Sequence, residues 1–103
     1  MAVRIQVTGE VVTAFLQGEL DHHAARQMRE TIDAAIDMNM PTLLILDFSE
    51  VGFMDSSGIG LVMGRYRLLS KTGAQLHVQG MAPNIYKVMK LAGIERLATL
   101  EQK

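Results

Sequence analysis

The stretch Asp55-Ser56-Ser57-Gly58 sets a carboxylate, two hydroxyls and a glycine where an apolar run gives way to a helical pattern. Three chemistries are open to it. Any of the first three side chains can cap a helix by accepting from an otherwise orphan backbone N–H, which stabilises the helix by roughly 0.5–2 kcal/mol. One cap needs only one such group, so at least one hydroxyl is left to point outward. A nucleophilic serine would need an activating base, yet neither serine sits in a G-x-S-x-G elbow and the histidines are His22, His23 and His77. No enzyme is expected. The third chemistry is modification of a free hydroxyl.

The other polar groups narrow the choice. His22 and His23 are adjacent on a helical first turn, so their side chains diverge, and His77 lies in a strand with no cysteine anywhere in the chain to complete a metal site. No metal is expected. Gly58-Ile59-Gly60 followed by Gly64 lacks the P-loop lysine and the Rossmann spacing, so no cofactor is expected either. Gly60 and Gly64, four apart on one helix, each cost about 1 kcal/mol relative to alanine. Either a neighbouring element packs closely on them or a partner protein approaches the backbone there. Leu61 and Leu68 lie off the apolar stripe of that helix, which predicts an exposed patch suited to an interface.

These residues must be held by the surrounding elements. Val3, Ile5 and Val7 alternate with polar residues as a strand with one wet face, a turn follows at Thr8-Gly9-Glu10, and residues 11–18 read as the hairpin partner. Asp21 can cap a helix whose inner positions are Ala25, Met28, Ile32, Ala35 and Ile36, closed by Asn39 and Pro41. The continuous apolar run at 42–48 predicts a strand covered on both faces, with a loop at 49–55. The second helix presents Ile59, Val62, Met63, Tyr66 and Leu69 inward and ends over Ser70 to Gly73. A strand over 74–80, a third helix opened by Pro83 with Ile85, Val88, Met89 and Ala92 inside, and a last strand over 96–100 complete an α/β pattern. Its later strands run parallel through right-handed crossovers. The first two helices begin at one sheet edge, where open α/β sheets collect functional loops, so Asp21 is expected near Ser56.

Composition bounds the partners. The 103 residues are 49% hydrophobic and 20% charged, which fits a single compact domain over 1–103. Net charge is −1 and the lysines and arginines are scattered without a run or stripe, so nucleic acid is not an expected partner. The absence of cysteine fits a reducing compartment. The N-terminus lacks a signal-peptide core and no apolar run approaches the roughly 18 residues that span a bilayer, so a cytoplasmic protein without a membrane partner is expected.

Gly18-Glu19-Leu20-Asp21-His22-His23, followed some thirty residues later by Phe53 to Tyr66, resembles the bacterial anti-sigma factor antagonists of the STAS-domain family, most of all the sporulation type. The likeness runs from about Gly18 to Leu97. It implies a STAS-like small mixed sheet of about four to five strands with three to four helices on it. It also implies a function: the unphosphorylated protein binds an anti-sigma factor that is a serine kinase and so releases the sigma factor, in sporulation or stress transcription. Phosphorylation of the first serine of the D-S-S-G motif, here Ser56, inactivates it, and a PP2C-type phosphatase restores it. The expected partner face comprises Asp21, Asp55, Ser56, Ser57, Gly58, Gly60, Leu61 and Gly64. Relatives usually carry a further amphipathic helix after the last strand, whereas this sequence stops at Lys103. The competing reading is a small-molecule or nucleotide-sensing domain on the same fold, which a concave pocket near Ser56 would favour.

Overall fold

The computed structural model describes residues 2–103. Five strands form one mixed sheet: β1 (Val3–Thr8), β2 (Val11–Leu20), β3 (Leu43–Met54), β4 (Gln75–Met81) and β5 (Thr99–Gln102). Three helices connect the later strands: α1 (His22–Asn39), α2 (Ser56–Ser70) and α3 (Pro83–Leu91), with a short 3-10 turn at Ile94–Arg96. The spatial order is the chain order, β1-β2-β3-β4-β5. Only β1 and β2 are antiparallel; β2 through β5 are parallel.

Strands added in one direction through right-handed crossovers place their helices on one face, and burial follows that geometry. Val12, Ala14, Leu16, Leu44, Leu46, Phe48, Leu76 and Val78 point to the helices and are buried. Their alternates Thr13, Phe15, Leu43, Ile45 and His77 are only half-buried. The expected covering of the 42–48 run on both faces is therefore corrected: a short apolar run does not reveal which side the crossovers take. On the second face Arg4 stacks over the Phe15 ring at 4.1 Å.

Further departures have equally local causes. The segment expected to be a loop at 49–55 is strand as far as Met54, because its backbone pairs with the end of β2 through Val51 with Gly18, Phe53 with Glu19 and Met54 with Leu20. The last strand begins at Thr99, since residues 94–96 wind into the 3-10 turn. In α3 only Ile85 and Met89 are buried; Val88, 46% exposed, and Ala92 face solvent. The inner stripe of α2 is Gly58, Leu61, Val62, Arg65 and Leu69, rotated from the expected one. Ile59, Met63 and Tyr66 are half-buried against it. Leu61 is thus a core residue and Leu68 is half-buried, so the expected exposed patch on α2 is not formed.

Candidate functional site

The parallel register of β2 and β3 builds the site. Leu20 pairs with Met54 at the ends of the two strands, and Asp55 donates its backbone N–H to the Leu20 carbonyl at 3.2 Å. The residues that follow, Asp21 and Asp55, turn into α1 and α2 at the same edge. Both are N-caps in extended conformation: Asp21 accepts from Ala24 N at 2.9 Å and Asp55 from Ser57 N at 2.8 Å. With Asp55 already capping α2, neither serine is needed for that task. Ser56 is exposed at the first helical position and Ser57 is half-buried. Among the described residues neither hydroxyl hydrogen-bonds to another protein group.

Gly58 is not part of the accessible surface. It is buried, and a Cβ there would run into Cγ and Sδ of Met54, with Leu20 Cδ1 at 3.5 Å. The close approach lets α2 leave the sheet tightly enough to hold Ser56 at the edge. Gly60 and Gly64 are opposite in kind: a Cβ at either would meet nothing within 4 Å. Of the two explanations for these glycines, close packing by a neighbouring element is excluded. Of the eight expected site residues, Asp21, Asp55, Ser56, Ser57, Gly60 and Gly64 lie along the α1–α2 edge, whereas Gly58 and Leu61 are turned inward.

Gly60 and Gly64 lie in an open groove of about 540 Å³ between α1 and α2. His22, Ala25, Arg26 and Arg29 line it from α1; Ser57, Leu61, Arg65 and Arg67 line it from α2. Four guanidinium groups and no carboxylate side chain border this space. The groove was not legible beforehand, because 26, 29, 65 and 67 form no basic run and meet only when two helices pack side by side. Arg65 is buried and its Nε lies 2.8 Å from Asp33 Oδ1 of α1, while its guanidinium also donates to the Leu61 carbonyl at 3.3 Å. Burial pulls the Arg65 pKa down, Asp33 opposes this, and the positive charges of Arg29 and Arg67 add to the lowering.

Phe53 adjoins the candidate site and was not among the expected residues. It is 48% exposed, one of the few large apolar side chains left in water, and it stands two residues before the Asp55 cap. No helix among the described residues is long and apolar enough to cross a membrane, and no group of three His, Cys, Asp or Glu side chains gathers as a metal site.

Comparison with known proteins adds a sequence and a fold relationship. The family model for the STAS domain matches residues 2–103. An anti-sigma F factor antagonist of Lysinibacillus sphaericus is 42% identical over 88 residues, 85% of this chain and 75% of that protein. The solved structure of the anti-sigma factor antagonist SpoIIAA in its unphosphorylated form superposes with a TM-score of 0.83 at 38% identity, covering 96% of this chain and 87% of that one. The structure of the Bacillus cell fate determinant SpoIIAA in the phosphorylated form gives 0.76 at the same identity, over 96% and 90%.

Proposed function

The chain belongs to the STAS-domain family, among its sporulation-type anti-sigma factor antagonists, and from that premise we propose that Ser56 is its phosphorylation switch. The unmodified protein binds an anti-sigma factor and frees the sigma factor that it held. The anti-sigma factor is also the serine kinase; it transfers a phosphoryl group to Ser56 Oγ and thereby ends the interaction. A PP2C-type phosphatase reverses the modification. This is a binding function, in which Ser56 is a substrate and no side chain of the chain is catalytic.

One observation carries the choice of serine: Asp55 spares both hydroxyls from capping, but Ser56 is exposed at the first position of α2 whereas Ser57 is half-buried. A phosphoryl group on Ser56 adds about −1.5 to −2 charges at the positive end of the helix dipole, which tolerates an anion without unfolding the domain. It also joins Asp21 and Asp55 at one edge, where the summed negative charge opposes a partner surface shaped for the neutral hydroxyl. Of the eight residues expected on the partner face, the proposed face keeps Asp21, Asp55, Ser56, Ser57, Gly60 and Gly64, drops the buried Gly58 and Leu61, and adds the exposed Phe53. We read the protein as a single domain of the cytoplasm.

Incubation with its host's anti-sigma kinase and ATP, followed by intact mass and a peptide map, tests this. A single added phosphate on Ser56 is expected. Recovery chiefly on Ser57 would move the switch by one residue, and no incorporation would sink it. The groove beside Ser57 is the one observation that favours a second reading, a domain that senses a small anionic ligand.

A further inference from the structure

We propose that the groove between α1 and α2 docks an acidic segment of the anti-sigma factor, held by Arg26, Arg29 and Arg67 over the bare backbone of Gly60 and Gly64; the inference rests on the antagonist reading above. The argument for an acidic occupant is charge complementarity. Arg26, Arg29 and Arg67 are exposed and make no ion pair among the described residues, while the nearby Asp33 is engaged by the buried Arg65. Like charges left this close are unfavourable until an anion enters. A chain segment fits better than a side chain alone, because two glycines one turn apart expose helix backbone that any larger residue would cover. The groove is open to solvent and not an enclosed cavity, which suits a chain segment lying in it.

The arrangement gives the switch a physical path. His22 and Ser57, in the first turns of the two helices, line the groove, and Ser56 is the residue next to Ser57, outside that lining but adjacent to it in the chain. An acidic segment that the arginines attract is met, once Ser56 is phosphorylated, by about two added negative charges. Phosphorylation acts on the same carboxylates that the groove selects, with no change in backbone required.

Titration calorimetry of the full chain against the host's anti-sigma factor tests the proposal. The combined variant Arg26→Glu, Arg29→Glu and Arg67→Glu, checked for folding by circular dichroism, should bind about tenfold or more weakly. Affinity of the unaltered protein should fall with added salt more steeply than that of the variant. Gly64→Leu, which fills the groove while improving helix propensity, should also weaken binding. Equal affinity of both variants and the unaltered protein would overturn the groove proposal and leave the antagonist reading intact. Failure of the unaltered protein to bind at all would remove both. Inorganic phosphate titrated alone is the control for a small-anion site: saturable binding abolished by the arginine changes, with partner affinity unchanged, also overturns the acidic-segment proposal.

Discussion

Arg65 of α2 and Asp33 of α1 hold their helices together through an Nε to Oδ1 contact of 2.8 Å, the arginine side chain 7% and the aspartate 33% exposed. Burial raises the Asp33 pKa and lowers that of Arg65, and the attraction between them offsets part of each shift. Removing one partner of a fully buried pair costs about 3–5 kcal/mol. Asp33 keeps some water, so Asp33→Ala should cost about 2 kcal/mol. Urea denaturation measures it, and Asp33→Leu combined with Arg65→Met should recover much of the loss because no charge is then stranded.

The three glycines of α2 should respond in opposite directions. Gly60→Ala and Gly64→Ala add a methyl into open space on a helix, and each should stabilise the protein by about 0.5–1 kcal/mol. Gly58→Ala drives a methyl into Met54 and should destabilise it by about 1–3 kcal/mol. Thermal unfolding of the three variants separates the packing glycine from the exposed ones.

Asp21→Ala removes the α1 cap and should cost about 1 kcal/mol. It also takes one negative charge from the edge shared with Asp55 and Ser56, so the rate of phosphorylation or the affinity for the anti-sigma factor should change. Unchanged values for both in a folded variant would confine Asp21 to capping.

Phosphorylation of Ser56 should lower affinity for the anti-sigma factor by tenfold to about a thousandfold, chiefly through faster dissociation, since an unpaired charge in an interface costs about 2–5 kcal/mol. Ser56→Asp should reproduce part of the loss, and Ser56→Ala should bind without switching. Calorimetry on each form, with circular dichroism for the fold, reads the outcome; equal binding of modified and unmodified protein would end the switch proposal.

Asp47, buried in β3, should contribute to the acid limb of stability. Burial pushes its carboxyl up, but hydrogen bonds from Gln79 Nε2 at 2.8 Å and from Ser49 N at 2.9 Å, with Lys103 nearby, together hold it below the ordinary 3.8. A depressed folded pKa means stabilisation present above the unfolded value and lost as pH falls through the folded one. Denaturant midpoints measured below pH 4 should therefore decline less in Asp47→Asn than in the unaltered protein.

What the sequence disclosed and what it withheld divide along physical lines. Asp21 and Pro83 were legible because caps and first-turn prolines act on their own few residues; a cap among Asp55, Ser56 and Ser57 was legible too, though not which of the three supplies it. The order of elements was legible from periodicity. The inner stripe of α2 was not, because no hydropathy pattern puts Arg65 inside until Asp33 of another helix is beside it. The length of β3 was hidden because pairing with β2 overrides the loop-like Ser49-Glu50 and Gly52. The arginine groove needs two helices side by side before it exists at all.

The strand order carries one more consequence, for how the chain folds. Each strand from β2 onward pairs with the strand made immediately before it, so no strand must be held open for a later one to insert. Each connection is a tight turn or a crossover of one α-helix, with the 3-10 turn added between β4 and β5, which keeps the entropic cost of each closure low for a parallel sheet. The molecule can accrete from its N-terminal hairpin outward, in the direction of synthesis. The edge that presents Ser56 is built from the paired ends of β2 and β3 and the starts of α1 and α2, and requires no part of β4 or β5.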